Sequence, residues 1–143
     1  AQVAAAEVAN TGDIIYQTTG VKTSLFRPPG GNMTNGVVAY AKSNKYAVIM
    51  WSSDSMDYSR PAVPRLINNI FREATPGGIV LMHDGGGDRS QTVKALPDII
   101  SKFRKQGYEF VTIPELLEMQ DQYPQLIAQN KTKSQKPQQP KKP

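Results

Sequence analysis

Two short apolar runs, 46–51 and 79–82, each followed by a stretch of helical periodicity, constrain this chain more than any other feature. Both are of strand length and apolar nearly throughout, as in strands that helices cover on both faces. After the first, Val63, Leu66, Ile67, Ile70 and Phe71 recur at three- and four-residue spacing behind Pro61, which suits a helix start. After the second, a helix over about 90–106 presents Val93, Leu96, Ile99, Ile100 and Phe103 as its expected buried stripe. Pro97 is placed to bend that helix or delay its start, and Gly107 ends it.

The remaining segments fit the same alternation. Residues 2–18 read as a helix weakened at Gly12 and closed by Gly20, and a short strand is expected around 24–26. Thr34 is the expected N-cap of a helix over 35–44. Phe110 and Val111 suggest a short strand, and Thr112 with Glu115 fits a capping box for a last helix over 113–119. Strands separated by ten to twenty residues of helix imply a parallel sheet with right-handed crossovers. Ligands of such folds bind beyond the C-terminal strand ends. Those ends carry Arg27, then Asp54 and Asp57, then His83 and Asp84.

Composition narrows the function classes. The net charge of +5 resides in residues 129–143, which hold five lysines and no acid, so the rest of the chain is formally neutral. A body that tracks nucleic-acid phosphates should be basic within the fold, so nucleic acid is not an expected partner. Residues 121–143 are expected to form a disordered Pro/Gln/Lys-rich tail. Its ordinary role is a solubilising end; attraction to an anionic cell wall or membrane surface is the alternative. No run approaches a membrane span, no signal peptide is visible, and the absence of cysteine excludes disulfides and thiolate chemistry.

His83 is the only histidine, and imidazole exchanges protons near neutrality. A carboxylate on its far nitrogen would fix its tautomer for general-acid work, and either Asp57 or Asp54 could supply it. Arg27 offers a fork suited to a carboxylate or developing anion, and Gly30 with Gly31 allows backbone N–H groups to approach an oxyanion. Leu81 shares a strand face with His83 and could line a small apolar pocket, while Trp51, Tyr58 and Met82 offer apolar or stacking surface. Each also has an ordinary reading: a structural histidine, a surface arginine, a rigid loop, capping aspartates. The 85–87 glycines lack the ending of a phosphate-binding loop, and one histidine with carboxylates is weak evidence for zinc.

Taken together, Phe26-Arg27-Pro28-Pro29-Gly30-Gly31, Trp51-Ser52-Ser53-Asp54-Ser55-Met56-Asp57-Tyr58 and Val80-Leu81-Met82-His83-Asp84 resemble the last three motifs of the polysaccharide deacetylases. These are carbohydrate esterases with a NodB-type domain. The resemblance runs from about Ile14 to Leu117 and implies an α/β fold, the C-terminal half of a distorted (β/α)7-type barrel with parallel strands, over residues 1–120. It implies that His83 is the catalytic acid, Asp57 the carboxylate that tunes it, and Arg27 the group that holds a catalytic-base aspartate. Leu81 matches the leucine of an acetate pocket, and Tyr58 stands where a tryptophan is usual in the substrate groove. Gly30 stands where tyrosine is common, at the oxyanion-binding backbone N–H.

The family's first two motifs, which carry the base and the metal ligands, have no counterpart here, so this chain offers no metal ligand. The divalent metal implied by the family, zinc foremost, is therefore expected to be held by an N-terminal half of the barrel, present as a separate chain or cleaved fragment. The expected function is deacetylation of an N-acetylated, peptidoglycan- or chitin-like polysaccharide by a secreted or cell-wall enzyme. The 143-residue chain alone is expected to be inactive, and a half barrel with open sheet edges is not expected to be stable by itself. The alternative is a catalytically inactive, deacetylase-like glycan-binding module.

Overall fold

The computed structural model describes residues 2–134. Five α-helices and four short strands follow one another as α1 (Gln2–Thr19), β1 (Leu25–Phe26), α2 (Gly36–Ser43), β2 (Ala47–Val48), β3 (Ser53–Asp54), α3 (Val63–Glu73), β4 (Val80–Leu81), α4 (Ser90–Lys105) and α5 (Ile113–Ser134). The chain divides into two compact units, Ala1–Ala95 and Leu96–Pro143, with the division inside α4.

All strand pairing in the first unit is parallel, as the helical spacers predict. Leu25 and Phe26 pair with Ala47 and Val48, and Ser53 and Asp54 pair with Val80 and Leu81. The run 46–51 does not form one strand. It pairs with β1 only at Ala47 and Val48, and pairing resumes at Ser53 with β4 as partner, so polar Ser53 and Asp54 are strand residues. Buried Ser53 compensates its polarity by donating Oγ–H to the Ile70 carbonyl at 2.9 Å. Leu66 and Ile70 of α3 are fully buried as that helix packs on β3, while α1 packs on α2 through the buried Val8, Val38 and Ala41 region. Gly12 does not interrupt α1 and has a packing role there, because a Cβ on it would lie 3.0 Å from the Tyr46 hydroxyl.

Helix boundaries depart from expectation at two caps. Asn35 rather than Thr34 caps α2, its Oδ1 accepting from Val38 N–H at 3.4 Å. Pro64 sits in the first turn of α3, one turn later than Pro61 implied. The expected stripe of α4 holds at Ile99 and Phe103 but not in the first half of the helix. Its buried residues are Thr92, Ala95, Ile99 and Phe103, while Val93 and Leu96 are 67% and 43% exposed. Pro97 is accommodated inside the helix.

In the second unit, α4 ends at Gly107 in left-handed backbone (φ +83°), with Gly107 N–H donating to Arg104 O and Tyr108 N–H to Phe103 O. The Phe103 and Tyr108 rings meet edge to face at 5.2 Å across that turn. Phe110 and Val111 form no strand and are exposed. The capping box forms as read: Thr112 N–H and Oγ–H each donate to Glu115 Oε2 at 2.7 Å. From it α5 extends to Ser134, well past the expected end at 119 and into the segment expected to be disordered. The tail from 135 onward lies outside the described residues.

Candidate active site

The site is built where β3 and β4 end. After Asp54 the chain enters a tight turn over Asp57–Ser59, and after Leu81 it runs directly into His83. Parallel pairing of Asp54 with Leu81 brings these two exits side by side. Met56 and Arg60, on either side of the turn, both adopt φ +54°, a left-handed conformation that non-glycine residues rarely hold. Asp57 between them is 2% exposed.

Its carboxylate is held from three directions. Oδ1 lies 2.6 Å from His83 Nδ1. Oδ2 accepts the His83 backbone N–H at 2.7 Å and the Thr92 hydroxyl at 3.1 Å. Burial pushes the Asp57 carboxyl upward, but the hydrogen bonds from the His83 ring, the His83 backbone and Thr92 outweigh it and hold the group below its ordinary value. An ionised carboxylate only accepts, so the facing Nδ1 carries the proton and Nε2 is the nitrogen turned away from Asp57. The His83 side chain is 39% exposed, which leaves the ring accessible. Tyr58, 51% exposed, stands edge to face with it at 6.2 Å.

Of the two carboxylates open to the histidine, the structure selects Asp57. Asp54 Oδ1 instead accepts Met56 N–H at 2.7 Å, closing the turn. Leu81, at the end of β4, is buried at 7% exposure, and Asp84 is exposed.

Arg27, Trp51 and the Pro-Gly loop form a second cluster. Arg27 donates from Nε to the Ile49 carbonyl (3.2 Å) and from Nη2 to the Met50 carbonyl (3.4 Å), and its guanidinium lies 5.9 Å from the Trp51 ring centre. Among the described residues no carboxylate lies in ion-pair range of Arg27. Gly30 and Gly31 are both left-handed, at φ +61° and +68°. The space around Gly30 is open, whereas a Cβ on Gly31 would strike the Trp51 ring at 2.8 Å, so Gly31 is the more constrained of the two. Beside Trp51 an open groove of about 340 Å³ runs between residues 48–52 and 75–79.

Four residues of the site were not singled out from the sequence: Thr92, Arg89, Ser55 and Asn69. Asn69 donates to the Ser55 carbonyl (3.0 Å) and Ser55 Oγ accepts Asp57 N–H (3.2 Å), so α3 braces the turn from behind. Buried polar residues on an apolar helix face, Asn69 in α3 and Thr92 in α4, were the available signal.

No group of three His, Cys, Asp or Glu side chains among the described residues could hold a metal ion. Asp57 and His83 direct their facing atoms at each other. The described residues therefore offer no place for the divalent metal that the family resemblance implied.

The first unit is thus an α/β arrangement of parallel strands that presents a carboxylate–histidine pair at adjacent strand ends, as a partial (β/α) barrel would. No family model matches the chain. It is 48% identical over 95 residues to a peptidoglycan-N-acetylglucosamine deacetylase of Bacillus cereus, covering 65% of this chain and 45% of that protein. A chitooligosaccharide deacetylase of Bradyrhizobium is 36% identical over 101 residues, 63% of this chain and 46% of that one. Among solved structures, a family 4 carbohydrate esterase pseudoenzyme from Bacillus anthracis superimposes with a TM-score of 0.71 at 35% identity, over 80% of this chain and 39% of that chain. The homologues of this chain are thus peptidoglycan deacetylases and other family 4 carbohydrate esterases, as the three motifs indicated. The chain spans less than half the length of the curated relatives named here, 45% and 46%.

Proposed function

We propose that this chain supplies the proton-donating side of a hydrolytic polysaccharide deacetylase acting on an N-acetylated, peptidoglycan- or chitin-like polymer. The Asp57–His83 pair is the observation that carries this reading. With Nδ1–H held by Asp57, the protonated ring presents its other N–H at Nε2, where a departing sugar amine can collect the proton. Asp57 stays ionised and stabilises the imidazolium before transfer. Tyr58 and Trp51 offer aromatic walls for a sugar, Leu81 an apolar floor for the acetyl methyl, and the Gly30 backbone a donor for the oxyanion.

The base, the partner of Arg27 and the ligands of a divalent metal, zinc in this reading, belong to a segment outside these residues. The polymers named for the relatives favour a secreted or cell-wall setting. No helix among the described residues is long and apolar enough to cross a membrane.

Replacing His83 with alanine in the complete enzyme should lower turnover by about 10²–10⁴-fold, the scale of general-acid catalysis. Its metal content, read by elemental analysis, should stay unchanged. Loss of the metal together with activity would mark His83 as a ligand and overturn the assignment.

Gly30 and the likeness to a pseudoenzyme favour a second reading, an inactive glycan-binding module. It predicts chitooligosaccharide binding by the complete protein with no acetate release, and binding that survives His83→Ala.

A further inference from the structure

We propose that Thr92 and Arg89, delivered together at the start of α4, are positioning residues that fix Asp57 and thereby the tautomer of His83. This inference rests on the reading of His83 as the proton donor. The Asp57 turn is flanked by two left-handed non-glycine residues, Met56 and Arg60, and such a turn persists only where its surroundings determine it. Arg89 does so from the backbone side. Its Nη1 donates to the Asp57 carbonyl at 3.2 Å, while Nε and Nη2 donate to the carbonyls of Gly85 (2.8 Å) and Gly86 (3.3 Å). One planar group thus ties the loop after His83 to the turn that carries Asp57. A lysine ammonium, a point donor on a flexible stem, does not reproduce that fork.

Thr92 acts on the side chain. Its hydroxyl, on a residue 8% exposed, donates to the same Oδ2 that accepts the His83 backbone N–H. Two donors on Oδ2 prevent the carboxylate from turning about its Cβ–Cγ bond, which keeps Oδ1 aimed at Nδ1. Both residues act through Asp57; neither touches the His83 ring.

His83 is the chain's only histidine, so ¹⁵N-histidine labelling gives a single ring, alone or bound to an unlabelled complementary segment. Nitrogen NMR of the neutral ring should show the Nδ1–H tautomer in the unaltered chain. Thr92→Val, nearly isosteric, should lower the ratio of Nδ1–H to Nε2–H about tenfold, the scale of one hydrogen bond to a charged group. Thr92→Ser should restore it. Arg89→Ala should act in the same direction and Arg89→Lys should fail to restore it; if the alanine variant does not fold, the lysine variant decides. A tautomer ratio unchanged in Thr92→Val and Arg89→Lys, even with a lowered melting temperature, would assign both residues a merely structural role and overturn the proposal. An Nε2–H tautomer in the unaltered chain would overturn instead the reading of His83 on which it rests.

Discussion

At Asp57, burial and hydrogen bonding pull one carboxyl group in opposite directions, and the hydrogen bonds prevail. Its native pKa lies below the ordinary 3.8, so the charged form is the one the fold favours. The stability this contributes is fully present above the unfolded-state value and is lost as pH falls through the lowered native value. Asp57→Asn should therefore flatten the loss of stability below about pH 4. Denaturant midpoints measured against pH in both proteins check this, and parallel curves would contradict it. Much of this site was legible at the residue scale, because His83 is unique and stands at the end of an apolar run. The residues by themselves left Asp54 and Asp57 open and only the family resemblance pointed to Asp57, since the choice depends on a turn whose left-handed residues, Met56 and Arg60, carry no sequence mark. Thr92 was hidden for a related reason. Apolar Val93 and Leu96 set the expected phase of α4, whereas the observed phase buries a hydroxyl that finds its partner on a distant turn.

Two helices end in the same backbone geometry with different residues at the critical position. After α4 the left-handed residue is Gly107; after α2 it is Lys45, at φ +63°, with Lys45 N–H donating to Lys42 O and Tyr46 N–H to Ala41 O. A side chain in that conformation costs energy that glycine avoids. Lys45→Gly should stabilise the protein by about 0.5–1 kcal/mol, and Gly107→Ala should destabilise it by about 1 kcal/mol. Chemical denaturation of the two variants checks both signs, and a destabilised Lys45→Gly would show that the Lys45 side chain contributes more than its backbone costs. Elements were legible where periodicity was strong, as in α3, or where a cap was explicit, as in the capping box at Thr112. They were less so in 46–51, where apolar character is continuous but pairing with β1 stops at Val48 and pairing with β4 begins only at Ser53, past the end of the run. A run of apolar residues records burial, not the strand with which each residue pairs.

Across the molecule, the parallel strands occur as two separate pairs, so every strand keeps an open edge among the described residues. Apolar side chains of α1 and the segment after it are also uncovered, with Val3, Ile14 and Val21 exposed at 76%, 62% and 61%. In the function proposed above, open edges and uncovered apolar surface are where a complementary segment would pack. The division of labour proposed above says that this segment brings the base and the metal ligands. A complementary N-terminal segment should therefore bind this chain and raise its melting temperature, and an unchanged melting temperature in a thermal scan would count against it. Acetate release from N-acetylated peptidoglycan or chitooligosaccharide is the most direct measurement of the central claim. The chain alone should release none, the complemented chain should release acetate, and His83→Ala in the complemented chain should abolish most of it. Deacetylation by the 143-residue chain alone, or by the complemented chain without His83, would contradict the claim.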